Sequence, residues 1–241
     1  MRTIDNILNN TSNRYYPLPE RPWKYYQQWD DTLFLHWQVP LTFVEELLPR
    51  GVIADTYNGI AWVSLVGFTV RKLRMRCLPV LPYVSNFEEI NLRTYVVRDG
   101  IPGIYMFSIE ASKLSSVLMT RFFIGLPYMY SKIMHSRNHL ISSNRYKNYR
   151  LATFYKPGSS LLQKTSLDFW LTERHCLYQV INKKLYRFDI HHEEWHLQDM
   201  IIRLRRMKYR KGKIDFAGQL PDKLHYCKRI RVVLWGKLLL E

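Results

Sequence analysis

The segment 87–111, FEEINLRTYVVRDGIPGIYMFSIEA, constrains this chain more than any other. Asp99-Gly100 stands between two runs rich in β-branched and aromatic residues. Asp-Gly is a two-residue turn whose backbone twist matches that of antiparallel strands. The spacing predicts a hairpin with arms over 86–98 and 103–111. Side chains on a strand alternate between faces. One face of the first arm therefore carries Phe87, Glu89, Asn91, Arg93 and Tyr95. The other carries Glu88, Ile90, Leu92, Thr94 and Val96; it is mostly apolar and expected to lie against the core. The first face is a row of carboxylate, amide, guanidinium and phenol, spaced about 7 Å apart. In such a row Arg93 is placed to make a fork pair with Glu89, with Asn91 bridging them. Two readings follow. Either the row walls a cavity, with Arg93 gripping a carboxylate and Glu89 tuning it, or it is a solvated sheet face with ordinary cross-strand partners.

The rest of the chain repeats the strand pattern. Strands are expected over 32–39 and 59–73, and near 149–155, 171–182, 185–190, 197–204 and 229–239. A short helix, LTFVEELL, opens after Pro40 and closes at Pro49 and Gly51. Apolar residues Leu114, Val117, Leu118, Phe122 and Ile124 predict a helix over 113–125, ended by Pro127. The segment 77–82, with two prolines, reads as a loop. Residues 1–22 are polar and then Pro-rich, which predicts a flexible N-terminal arm before one domain over 23–241. Many strands and few helices give a β-rich α+β chain with a closed or strongly curved antiparallel sheet. At 241 residues and 47% hydrophobic, the chain is long enough to fill one.

Lys and Arg number 36 against 20 Asp and Glu, a formal balance of +16. That excess favours anionic partners of any kind. The densest run is Arg203, Arg205, Arg206, Lys208, Arg210, Lys211 and Lys213, with Tyr209 interleaved. It offers the alternative reading of a non-enzymatic basic binding or scaffold protein for nucleic acid or anionic surfaces. Cys77, Cys176 and Cys227 are few and far apart, without a C-x-x-C pair, which fits reduced thiols in a cytoplasm. No apolar run has signal-peptide form or reaches the ~18–20 residues of a membrane span. No nucleophile elbow, phosphate loop or dinucleotide fingerprint occurs, so no cofactor is expected. His191, His192 and His196 suggest a metal, but on a strand the last two would stand ~13 Å apart, too far for one ion. His36 reads as a buried, hydrogen-bonded histidine. Glu173 and Arg174 open an expected strand, so only one of them can enter a cavity.

Seven ordered blocks carry a resemblance: LFLHWQVP (33–40), GIAWVSLVGF (59–68), FEEINLRTYV (87–96), GIYMFSIEA (103–111), RFFIGLPY (121–128), FWLTERHCLY (169–178) and IHHEEWHLQD (190–199). Together they resemble the YqjF-like family, a domain of unknown function in the acetoacetate decarboxylase-like superfamily. The resemblance implies an antiparallel closed β-cone or double barrel around a central cavity, with the 87–96 strand in its wall. The superfamily's named enzyme uses a lysine that forms a Schiff base. In this chain the matching stretch is RFFIGLPYM, and the two lysine positions hold Tyr128 and Met129. The resemblance thus implies a cavity protein that is not a Schiff-base decarboxylase. The expected ligand is a small organic acid held by Arg93, Glu89 and Asn91, with Tyr95, Arg121, Tyr128 and Glu173 completing the wall.

Overall fold

The computed structural model describes residues 2–81 and 83–240. Pro82, in the expected loop, lies outside the described residues. In chain order the elements begin with helix α1 (Arg2–Asn9), strand β1 (Tyr25–Val39), helix α2 (Leu41–Glu45), β2 (Ile53–Ala54), β3 (Ala61–Met75), β4 (Phe87–Arg98) and β5 (Ile101–Ala111). They continue with α3 (Leu114–Phe123), β6 (Tyr128–Tyr130), β7 (Lys132–Ser136), β8 (His139–Asn144), β9 (Tyr149–Ser160) and α4 (Ser166–Thr172). The remainder is β10 (Cys176–Ile181), β11 (Lys184–His192), β12 (Gln198–Lys208), β13 (Arg210–Lys211), β14 (Ile214–Asp215), β15 (Lys223–Leu234) and β16 (Leu238–Leu239).

The Asp99-Gly100 turn forms as expected: both residues have positive φ, +52° and +73°, and Arg98 pairs with Ile101. From this hairpin the sheet grows in both directions. The order β11-β10-β5-β4-β3-β1-β15 returns on itself, because β11 also pairs with β15 through Ile190 and Leu234. Seven strands thus make a ring, although not a clean barrel. Its weakest links are the three-pair β11–β15 contact and the β5–β10 contact at Leu177↔Ile104 and Tyr178↔Tyr105. The second of these is parallel, as is β5–β6, which departs from the wholly antiparallel expectation. Gly103 is what lets β5 and β10 approach: a Cβ there would stand 2.8 Å from the Cys176 carbonyl oxygen.

Beyond β15 the sheet continues through β12, β9, β8 and β7 and folds back over the ring's outside. The expected apolar face of β4 does lie on a core: Ile90 and Leu92 pack with Leu33, Val63, Leu140 and Leu151. A second core fills the ring and includes Phe34, Phe68, Phe87, Leu177 and Trp195. Because β1, β3 and β4 are covered on both faces, their sequences read as near-continuous buried runs.

Two expectations need correction. Residues 2–22 are not a loose arm. Ile4, Ile7 and Leu8 place an apolar edge of α1 against Tyr26, Val233 and Trp235, and Asn13 is buried. The strand expected over 171–182 begins only at Cys176. Before it stands α4, capped by a reciprocal box in which Thr165 Oγ1 accepts from the Asp168 amide (3.2 Å) and Asp168 Oδ2 accepts from the Thr165 amide (2.9 Å). Among the described residues no helix is long and apolar enough to cross a membrane.

Candidate functional site

The row on β4 is not a solvated face. Glu89 is 3% exposed, Asn91 2%, Arg93 7% and Tyr95 0%. Glu89, Asn91 and Arg93 border a space of about 50 Å³ inside the ring. Its other walls are mainly apolar, with Phe34, Phe68, Met106, Ile124 and Trp195 among them. Tyr128 and Arg174 add polar groups from outside β4.

The row is wired differently from the expected fork pair. Among the described residues no carboxylate lies within ion-pair distance of Arg93. Its Nε has no hydrogen-bond partner, and its guanidinium stands 5.6 Å from the centre of the Phe34 ring. Burial pushes the Arg93 pKa down, while the neighbouring Tyr95 and Glu89 work in the opposite direction. Glu89 is held instead by Tyr128, whose hydroxyl donates to Oε2 (2.7 Å), and by Asn91, whose Nδ2 donates to Oε1 (3.2 Å). Burial raises the Glu89 pKa from 4.5 to about 7, against the lowering effect of those two hydrogen bonds and of Arg93. Asn91 Oδ1 also lacks a partner. The site therefore presents a buried cation, without a carboxylate partner among the described residues, beside a carboxyl group that titrates near neutrality.

Three expected wall residues lie elsewhere. The Tyr95 hydroxyl turns away from this space to Ser64 Oγ (2.7 Å) and the Leu171 carbonyl (3.0 Å). Arg121 is exposed in an outer groove with Met129 and Lys132, where its Nε donates to the Tyr128 carbonyl (2.6 Å). Its part is to fix the backbone from which Tyr128 points inward while Met129 points out. Glu173, the residue after α4, faces away from the cavity and accepts from Lys164 Nζ (2.7 Å), Asn13 Nδ2 (2.8 Å) and the Trp195 amide (3.2 Å). Its neighbour Arg174 takes the cavity position. Its guanidinium lies 4.4 Å from the Trp170 ring centre and bonds Asp55 (2.5 Å). A capped helix before these residues, rather than a strand, decides which of the two turns in. The Thr165–Asp168 spacing was the sequence signal for that helix.

Sequence reasoning also missed a buried chain behind the row. Tyr95, Ser64, His36, His225 and Asp168 are linked by contacts of 2.7, 2.6, 3.1 and 2.8 Å. His36 is indeed a buried, hydrogen-bonded histidine, and burial holds its pKa well below the ordinary range. A second cluster brings ligating atoms of Glu173, His175 and His192 within 4.8 Å of one another. These residues have the chemistry of a metal set, but the relevant nitrogens are committed. His175 Nε2 donates to the Asn13 carbonyl (3.0 Å) and His192 Nδ1 to the Glu193 carbonyl (2.7 Å). Lys164 already supplies positive charge to Glu173. A cation would have to displace all three partners, so the donor set fits a metal poorly. His196 is exposed and takes no part.

In the basic run, Arg203, Arg205, Arg206, Lys208, Arg210 and Lys213 are exposed. Lys213 pairs with Glu46 (2.5 Å) and Lys211 is half-buried over Phe107. Tyr209, the aromatic that would stack on a base, is fully buried and bonds Glu110 (3.0 Å).

Comparison with known proteins agrees with the resemblance drawn from the sequence. The chain is 39% identical over 225 residues to the uncharacterized protein YqjF of Bacillus subtilis (strain 168), covering 90% of this chain and 93% of that one. Among solved structures it is similar to the enduracididine biosynthesis enzyme MppR with HEPES buffer bound, with a TM-score of 0.64 and 12% identity over 94% of this chain and 91% of that one. It is also similar to an acetoacetate decarboxylase from Legionella pneumophila, with a TM-score of 0.61 and 12% identity over 99% and 95% of the two chains. Identities this low establish a shared acetoacetate decarboxylase-like fold and nothing about chemistry. Residues 26–231 match the model of DUF2071, described as an uncharacterized conserved protein, and the chain belongs to that family.

Proposed function

We propose that this protein binds a small organic acid inside the ring, with Arg93 as the anion grip and Glu89 and Asn91 as its polar neighbours. The observation that carries the reading is Arg93 itself, a buried guanidinium with no carboxylate partner among the described residues and a free Nε. A buried cation without a counter-ion is costly. A ligand carboxylate would relieve that cost through the paired N–H···O contacts that a guanidinium offers. Trp29, Phe34 and Trp195 around it exclude water and strengthen the attraction.

Glu89 adds a proton to the arrangement. With a pKa of about 7 it is neutral in mildly acidic solution, so it donates a hydrogen bond to an anion instead of repelling it. Where the superfamily's lysine pair would stand, Tyr128 turns inward and Met129 outward. Neither forms an imine, so the reading is a binding site, and any turnover would run without a Schiff base. Titration calorimetry with pyruvate and acetate tests the grip. Wild-type protein binds, and Arg93→Ala remains folded but loses at least tenfold in affinity, the lower end expected for a charge-assisted contact. Unchanged binding by Arg93→Ala places the site elsewhere.

A further inference from the structure

Ile124 stands between two spaces. On its inner side is the cavity of Arg93; on its outer side is a groove of about 80 Å³ that reaches the surface between α3 and the 77–85 loop. Tyr25, Leu78, Leu81, Met119 and Phe123 line the groove with Ile124. The walls are tied together: Ser116 Oγ donates to the Val84 carbonyl (3.0 Å), and the Tyr25 hydroxyl to the Phe123 carbonyl (2.5 Å). The partition is thin because α3 stops there. Both the Ile124 and Gly125 amides bond the Thr120 carbonyl (2.9 Å each), and Gly125 takes φ +86° to turn the chain inward. Ile124 thus borders both an apolar channel and a charged chamber. Leu78 and Leu81 leave the rim about half exposed, at 50% and 53%.

The charge distribution points at the same entrance. No acidic residue occurs between Asp55 and Glu88, or between Glu110 and Asp168. Apart from Tyr25 on β1, the residues that line the groove lie within these stretches, which also carry Arg74, Arg76, Lys113 and Arg121. The mouth thus lies in a positive field that raises the local concentration of anions. Arg74 also lines the groove, but its guanidinium is stacked 5.2 Å from the Tyr26 ring centre and 5.7 Å from that of Trp23.

We infer that the ligand is a monocarboxylic acid with a hydrocarbon tail, its carboxylate on Arg93 and its tail passing Ile124 into the groove. This rests on the reading of Arg93 as the anion grip. The apolar walls supply no partner for hydroxyl groups or a second charge, so sugar acids and dicarboxylates lose hydration without compensation there. An unbranched tail displaces the Ile124 side chain and joins the two spaces. Calorimetry with unbranched acids from acetate to decanoate tests this. Affinity rises roughly fourfold per added methylene until the groove is filled. Ile124→Trp, which thickens the partition, and Leu81→Asp, which puts a charge at the rim, flatten that rise. An affinity independent of chain length in wild-type protein overturns the inference without needing either variant, and so does a rise that both variants leave unaltered. If acetate and pyruvate bind through Arg93 while the series is flat, only the tail assignment fails. If no acid of any length binds, the Arg93 reading fails with it.

Discussion

Replacing Glu89 with Gln should reverse the sign of a stability difference across the pH scale. Glu89 is buried, and its pKa stands at about 7 instead of 4.5. Between those values the folded protein holds a proton that the unfolded chain has released. Stability contributed by the neutral carboxyl is therefore fully present below about pH 4.5 and is lost as pH rises through about 7. That rise corresponds to roughly 3 kcal/mol. Gln cannot ionise, so the variant escapes that loss. It does lose one interaction, because its single carbonyl oxygen cannot accept from both Tyr128 and Asn91. One lost hydrogen bond costs about 1 kcal/mol. Urea unfolding should thus find Glu89→Gln about 1 kcal/mol less stable than wild type near pH 4.5 and about 2 kcal/mol more stable near pH 8. Other titrating groups are common to both proteins and cancel in the difference. A difference that stays constant over this range, or that moves against the variant as pH rises, would refute the assignment of a neutral buried carboxyl at Glu89.

Three further outcomes test the frame around the site. Gly103→Ala places a methyl against the Cys176 carbonyl where β5 and β10 meet, and should lower stability by about 2–3 kcal/mol in urea unfolding. Ile7→Ala empties a fully buried position under α1 and should cost about 2–4 kcal/mol, whereas an arm that is not docked would give a change near zero. Asp168→Asn removes the charge that accepts from His225 and Lys223 and should cost about 1.5–3 kcal/mol at neutral pH. Because hydrogen bonding holds the Asp168 pKa below 3.8, that difference is present above 3.8 and shrinks as pH falls below it.

What could be read in the sequence depended on how local its cause was. The hairpin was legible because two adjacent residues with positive φ, Asp99 and Gly100, decide it. The row Glu89, Asn91, Arg93 followed from alternation alone. Its burial on both faces did not, because the cover comes from β7, β8, β9 and β12, far along the chain. The exchange of Glu173 for Arg174 turned on α4, whose Thr165–Asp168 cap is a local signal that a strand reading of Leu171–Asn182 overrode. The docking of residues 2–22 was half legible: Ile4, Ile7 and Leu8 have helical spacing, but the partner that pins Asn13 is Glu173, 160 positions away. The chain from Tyr95 to Asp168 left no sequence signal, since its members come from β4, β3, β1, β15 and α4.

That buried chain also explains why Arg93 remains unpaired. Asp168 accepts from Nε2 of His225, so that nitrogen carries a proton. His225 Nδ1 meets His36 Nε2, and His36 Nδ1 meets Ser64 Oγ. Ser64 in turn meets the Tyr95 hydroxyl, which donates to the Leu171 carbonyl. One carboxylate thus anchors a chain of contacts that ends at Tyr95, the residue beside Arg93. The chain's one carboxylate is spent on His225 and Lys223. No counter-ion for Arg93 can come from behind the strand. Within the row, Glu89 is the carboxyl group, and it ionises only at a pH of about 7 and above. Under the proposed binding of a small acid, the affinity of wild-type protein should therefore fall as pH rises through about 7, and Glu89→Gln should remove that dependence in calorimetry.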